Sequence, residues 1–595
     1  MKPIDLLDLP KLTKTAFQEF PNSWKKINKS YLQNLTSREL IQLNFIAAIV
    51  GIGAGFAAIG FRALIGFLQN ILLHDQFDYH LISPVHHVRG YWIIIILPLG
   101  LLLTTIITRY LAREATGHGV PEVIEAVWTR SGRIRKRIVA VKALASGITI
   151  ASGGSVGREG PIVQIGSAFG SSIGQFLNLK PKAMKTLVGC GAAGAIAATF
   201  NTPIAGVIFS IEIIVLELKT KSFVPLVISS VFATVISRYF LGNEPAFFVP
   251  EYFLKTPYEL AFYLALGILA GIVGVIVIKT LYGIEDVFND WKAPFWIKPL
   301  LAGVCVAFIG LQFPQVFGVG YEAIGDVLQG NSEFVVMASL VVLKILAMSL
   351  TLAGGGSGGV FAPSLFIGAM LGGSFGYIVH ELFPYSTSSY GAYALVGMAA
   401  LFSATGRATF TAIVILFEMT LDYSIILPLM FVCVAADQVS WALSKESIYS
   451  LKLKRKGLNF RTDLSVNLMS ITPVKDIMTT ELDLITQDMS LEHIKSHLLP
   501  QNHSTYPIVN QKNELIGTIS KQNLEDIESA EAFDIMTYAS QPKAVVDSCD
   551  SVAEALSKIE KTRDPRILVT EKKKLVGIIS PVDFIRLSSI DLHDK

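Results

Sequence analysis

The chain has 595 residues, 51% hydrophobic and 16% charged, with a mean hydropathy of +0.52, whereas ordinary soluble domains carry roughly 25% charged residues. This excludes an ordinary soluble enzyme, and a net charge of only +3 with basic residues scattered at helix flanks sets aside nucleic acid as a partner. Residues 1–470 hold 36 Lys+Arg against 27 Asp+Glu, and residues 471–595 hold 14 against 20, so a membrane block precedes a soluble one.

In chain order, the start MKPIDLLDLPKLTKTAFQEF has acids and a proline where a signal peptide needs an apolar core, so residues 1–40 are expected to stay in the cytoplasm. Residues 40–61 and 91–108 contain no Asp, Glu, Lys or Arg, and about 20 apolar residues cross a bilayer core. The tracts 160–179, 186–211 and 345–380 are equally free of charge but repeatedly cut by Gly and Pro. Backbone breaks at membrane depth survive only where they are buried in protein or line a cavity, so the breaks mark the functional site. The cysteines at 190, 305, 433 and 549 form no CxxC pair, which fits buried thiols rather than disulfides or zinc.

Residues 142–161 (KALASGITIASGGSVGREGP) and 344–363 (KILAMSLTLAGGGSGGVFAP) repeat at an offset of 202, with ten of twenty positions identical. Glycines then follow every fourth residue in both copies, at Gly166, Gly170, Gly174 and at Gly368, Gly372, Gly376, a bare stripe suited to close helix packing in lipid. Arg130, Arg133, Arg135, Lys136 and Arg137 precede the first copy, while no Lys or Arg lies between Lys298 and Lys344. By the positive-inside rule the first copy starts in the cytoplasm and the second outside. Such an inverted repeat places its binding site near mid-membrane, where discontinuous helices meet.

Three Gly-rich loops each run into a proline: Gly117-His118-Gly119-Val120-Pro121, Gly157-Arg158-Glu159-Gly160-Pro161 and Gly358-Gly359-Val360-Phe361-Ala362-Pro363. Pro suits a first helical turn, and helix starts with free N–H groups form an anion site without a full cation. Binding must also stay weak enough for release. Glu159 is an ionisable residue inside such a loop, and a carboxylate there competes with the anion for the same N–H groups. It reads as a gate, with pairing to Arg158 as the plainer alternative.

The loops GHGVP, GREGP and GGVFAP, the later SIYSLKLKRKG and the repeat together resemble the CLC family of chloride channels and chloride/proton exchangers, over residues 40–457. The resemblance implies a pore within each subunit of a homodimer, Glu159 as gating glutamate, and Gly117, His118, Gly119, Arg158 and Gly160 among the anion-site loop residues. It further implies Val360 and Phe361 as backbone ligands and Tyr449 as a hydroxyl ligand. His118 stands where the family often has Ser, and an imidazole donates or charges near neutral pH, which alters the expected anion preference. Exchangers of the family commonly carry two successive glutamates where this chain has Glu212-Ile213. Isoleucine carries no proton, which favours a channel or a weakly coupled transporter, with an antiporter as the alternative since some relatives exchange without the second glutamate.

From 471 the motifs VKDIM, TYPIVN and LIGTIS recur as FDIM, RILVT and LVGIIS, a tandem unit that resembles a pair of CBS domains (about 471–530 and 531–595). The resemblance implies an adenine nucleotide, with Ser580 and Asp583 at the ribose-binding spacing; a helix-start Ser and Asp explains the same pair. His380-Glu381 is the sole His-Glu pair and residue 384 is Pro, so the HExxH of an intramembrane metalloprotease is absent. The histidines at 74, 80, 86 and 87 are expected as solvated polar residues of an external loop rather than a metal site. A CBS-bearing cation transporter is the weaker rival, because its acids would lie within the spans. The expectation is an all-α polytopic membrane protein with an inverted repeat over 41–457, a linker at 458–470 and an α/β CBS pair. It transports chloride across a cell membrane, a bacterial inner one by its compact form, with both termini cytoplasmic, and no residue is assigned a catalytic or metal-binding role.

Overall fold

The computed structural model describes residues 37–458 and 472–584, apart from 217–219, 244–246, 248, 251, 253, 421, 499–502, 504, 528–533, 563–565 and 572–573. The expected cytoplasmic segment up to residue 36 and the linker from 459 to 470 lie outside the described residues. The chain divides into two compact units, Met1–Leu453 and Lys454–Lys595.

The first unit is helical. One half comprises α1 (Ser37–Gln69), α2 (Ile93–Leu111), α3 (Val120–Thr129), α4 (Ile138–Ala151), α5 (Glu159–Phe176), α6 (Pro181–Phe200), α7 (Pro203–Phe209) and α8 (Thr220–Leu241). The other comprises α9 (Glu259–Asp290), α10 (Ile297–Gln312), α11 (Tyr321–Leu328), α12 (Phe334–Ala353), α13 (Phe361–Leu382), α14 (Tyr390–Gly406), α15 (Thr409–Thr420) and α16 (Ile426–Leu443), after which comes α17 (Ser450–Arg455), within which the division at Leu453 falls. Eight helical stretches among the described residues are long and apolar enough to cross a membrane.

The two halves meet about an approximate two-fold axis that can be read bond by bond. The Ser155 N–H donates to Thr351 Oγ1 (3.2 Å) and the Ser357 N–H to Thr149 Oγ1 (3.1 Å), both pairs related by the offset of 202. Gly157 and Gly359 exchange backbone hydrogen bonds at 2.8 and 2.6 Å, and such reciprocal contacts define a two-fold. Further along, where the offset becomes 206, Glu212 accepts from the N–H groups of Phe410 and Thr411 (3.2 and 2.8 Å), and Glu418 accepts from those of Ile204 and Ala205 (3.0 and 2.7 Å). Each glutamate thus satisfies the orphan N–H groups of the other half's helix start.

The glycine stripes are packing surfaces. A Cβ at Gly166 would lie 2.3 Å from the Gly191 carbonyl oxygen, and one at Gly368 would lie 2.4 Å from that of Gly397. The α5–α6 and α13–α14 pairs are therefore equivalent close crossings. The breaks expected in the tracts fall at Asn201–Thr202 between α6 and α7 and at 354–360 between α12 and α13. The tract 160–179 differs: α5 runs unbroken to Phe176, because Pro161 occupies its first turn and the glycines face a neighbouring helix rather than interrupt hydrogen bonding.

The second unit holds two small three-stranded sheets, β1 (Ile485–Thr486), β2 (Thr505–Val509) and β3 (Leu515–Ser520), then β4 (Val545–Asp547), β5 (Ile567–Glu571) and β6 (Lys574–Ile579). In each, the first pair is parallel and the second antiparallel. Thr479 pairs with Ile578 of the second sheet and Ser540 with Thr518 of the first, so the modules exchange edge segments. A helix (α18, Leu491–His493) precedes β2, another (α19, Lys521–Glu525) follows β3, and α20 (Val552–Thr562) covers the second sheet.

Candidate functional site

The three Gly-rich loops converge. Besides the Gly157–Gly359 exchange, the Gly358 N–H donates to the Gly117 carbonyl (3.2 Å), and Gly117 bridges Ser357. Gly117 and Gly119 adopt φ of +75° and +86°, open to glycine without strain. A Cβ at Gly160 would stand 2.2 Å from the His118 carbonyl oxygen, so the second loop needs glycine to approach the first.

Two lysines that the repeat aligns hold this crossing. Lys142 Nζ donates to the carbonyls of Ala115 and Gly117 (3.0 and 2.7 Å), and Lys344 Nζ to those of Val316 and Gly318 (3.0 and 2.9 Å). Both side chains are fully buried. Their matched partners reveal a fourth loop, Gly318-Val319-Gly320, the counterpart of Gly117-His118-Gly119 at an offset of 201. Sequence reasoning missed it because that loop is followed by Tyr321 and Glu322 instead of a Val-Pro pair; extending the repeat upstream by one residue of slippage finds it.

Glu159 opens α5 and is buried. Its Oε1 accepts from the Tyr321 hydroxyl at 2.6 Å, while Arg158 Nε stands 3.8 Å away. The guanidinium of Arg158 instead lies 5.2 Å over the Tyr321 ring. The principal partner is thus Tyr321, which opens α11 directly after the fourth loop, and Arg158 lies over the ring of that tyrosine.

His118, Glu159, Gly160, Val360, Phe361 and Tyr449 line one narrow space together with Val120, Val163, Ile196 and Phe209, and the space has no room for a water-sized sphere. Gly117, Gly119 and Arg158 do not line it: the Gly117 carbonyl is taken by Lys142 and Gly358, and Arg158 is turned to Tyr321. Among the described residues the N–H groups of Gly160, Val360 and Phe361 make no loop or cap hydrogen bond, as expected of first-turn donors. Phe361 is wedged between Phe200 and Phe402, at ring distances of 5.3 and 4.2 Å, which fixes the start of α13. Tyr282, also missed, donates to the Ile448 carbonyl (2.5 Å) and meets the His118 ring edge-on at 6.3 Å, so it positions both His118 and the segment carrying Tyr449.

Ile213 is buried beside Glu212, whose carboxylate is held by the start of α15. In the second unit Asp583 is buried, and its Oδ2 accepts from both the N–H and the hydroxyl of Ser580 at 2.8 Å. The Asp583 carboxylate thus reaches back to the backbone N–H of Ser580, which is one half of a capping box. The histidines are not all solvated as expected. His74 is buried and His87 half-buried against Phe317, because the 75–92 segment folds back on the helices, whereas His80 and His86 pair with Asp78 and Glu322.

The family model for the voltage gated chloride channel matches residues 99–441, and that for the CBS domain matches 474–527 and 532–590. A ClcB-like chloride channel protein of Ralstonia nicotianae is 32% identical over 69% of this chain and 96% of its own length. The H(+)/Cl(−) exchange transporter ClcA of Vibrio parahaemolyticus is 33% identical over 69% of this chain and 89% of its length. The crystal structure of a slow cyanobacterial Cl−/H+ antiporter aligns with a TM-score of 0.60 at 26% identity, over 70% of this chain and 96% of that one. That of a eukaryotic CLC transporter, at 21% identity and a TM-score of 0.61, covers 91% of this chain and 98% of that one and shares its fold.

Proposed function

Since this chain belongs to the voltage-gated chloride channel family, we propose that it exchanges chloride for protons through a path in each subunit, with Glu159 as the group both ions share. Anion transport across a membrane is the family's activity. The observation that carries the finer reading is the Glu159 carboxylate, buried among the helix starts whose N–H groups an anion would use. Ionised, it competes for those donors and closes the space; protonated, it releases them.

Exchange is preferred over the channel reading that Ile213 favours, because two of the relatives named above are exchangers by name. The inner proton route then runs without a carboxylate at 213. In this reading the N–H groups of Gly160, Val360 and Phe361, the Tyr449 hydroxyl and the His118 imidazole are the anion's ligands, held by partial rather than full charges. The protein works as a homodimer with cytoplasmic termini.

Chloride and proton movements recorded together in liposomes test this. A fixed ratio of opposed proton flow supports exchange; chloride flux with no proton movement would return the chain to the channel reading.

A further inference from the structure

We propose that the cleft between the end of α2 and the start of α10 binds the phosphodiester headgroup of an anionic phospholipid. Arg109 lies in the last turn of α2, and the turn after α9 leads through Phe295 into α10 with Lys298. These ends meet in a cleft of about 400 Å³ lined by Thr105, Arg109, Phe295, Lys298 and the turn at Gly354–Gly355, a size typical of small-ligand sites.

The charge inside is one-sided. The Arg109 guanidinium stacks 4.4 Å from the centre of the Phe295 ring, which orients its planar fork. Among the described residues neither Arg109 nor Lys298 forms an ion pair, and no carboxylate lines the cleft. The Gly354–Gly355 turn packs directly against the two helices: a Cβ at Gly355 would fall 2.5 Å from Thr105 Oγ1, and one at Gly354 would fall 2.4 Å from the Ala302 Cβ. Two cations facing one hollow without a counter-charge call for an anion, and an arginine fork matches a phosphate's paired oxygens.

The surroundings make that anion a lipid. Leu99, Leu103 and Ile106 form an exposed apolar strip on α2, and Leu301 and Phe308 are exposed on α10, so any occupant has hydrocarbon beside its charged end. Tyr110, Trp291 and Trp296 are exposed at these helix ends, the composition of an interfacial belt. The end of α2 leads towards the basic 130–137 loop, the side that the charge pattern assigns to the cytoplasm, where the leaflet is anionic. A choline headgroup would bring its own cation against Arg109 and Lys298 and is disfavoured.

The test uses the full-length protein purified in detergent, with retained lipid read by native mass spectrometry after addition of phosphatidylglycerol or phosphatidylcholine. Phosphatidylglycerol is expected to bind in preference, and removing the two cations together (Arg109→Ala with Lys298→Ala) to weaken it about 25-fold, at roughly fivefold per interfacial cation. Arg109→Lys, which keeps the charge but loses the fork and its stacking on Phe295, is expected to bind more weakly than wild type and more tightly than Arg109→Ala, and Lys136→Ala with Arg137→Ala, outside the cleft, to leave binding unchanged. Equal retention by wild type and the Arg109/Lys298 variant, an equal loss in the Lys136/Arg137 variant, or displacement of the lipid by millimolar inorganic phosphate would overturn the proposal, the last by assigning the cleft to a soluble anion.

Discussion

Glu159 and Tyr321 are 162 positions apart and joined by one 2.6 Å hydrogen bond. A hydrogen bond to a charged group contributes about 1.5–3 kcal/mol, and in the exchange reading proposed above it holds the carboxylate in the plugged position. Tyr321→Phe is therefore expected to raise chloride flux at neutral pH by about tenfold or more, while an unchanged rate in liposomes would remove Tyr321 from the gate. Glu159→Gln is expected to abolish proton movement and leave chloride flux insensitive to pH; retention of wild-type proton flow would exclude Glu159 as the shared group. Glu159 was legible in the sequence because a charge in an apolar Gly loop is conspicuous. Tyr321 was not, since one tyrosine in a polar loop carries no signal until the fold brings it to the carboxylate.

Among the elements, the glycine stripes and the external segment make separate predictions. A Cβ at Gly170 or Gly372 would come within 2.2 or 2.1 Å of the carbonyl oxygen of Leu187 or Tyr393. Gly170→Ala and Gly372→Ala should each destabilise by about 1–3 kcal/mol, seen as a lower melting temperature in detergent, whereas wild-type stability would show that these helices can separate. In the 75–92 segment, burial holds the His87 imidazole below its ordinary value, so the packed state favours the neutral ring. A detached segment binds the proton more readily, so the packing against Phe317 weakens as pH falls through the ordinary value of about 6.5. Protection from hydrogen exchange across residues 75–92, taken relative to the intrinsic rate at each pH, is expected to be lower at pH 5 than at pH 7.5 and to lose that difference in His87→Phe.

At the scale of the whole molecule, the repeat organises both the framework and the site. Each half supplies a lysine to its own loop, a serine N–H to the other half's threonine, and a glutamate to the other half's helix start. Glu212→Gln and Glu418→Gln are accordingly expected to lower the melting temperature by similar amounts; a large asymmetry would show that one of them serves transport instead. The second unit repeats the arrangement in miniature. There Ser580→Ala and Asp583→Ala should each cost about 1 kcal/mol as lost hydrogen bonds, and unfolding of the purified full chain followed by the second unit's own signal would register it.

Composition and periodicity by themselves determined the membrane block, the soluble tail, the inverted repeat and the three loops, because burial in lipid forbids charge and permits backbone breaks only at a site. Which loop residues face the narrow space was decided by tertiary structure alone. Gly117, Gly119 and Arg158 share the motifs of His118 and Gly160, yet the carbonyl of one and the guanidinium of another are drawn to Lys142 and Tyr321. Direction depends on such cross-chain partners, and a linear pattern does not encode where they lie.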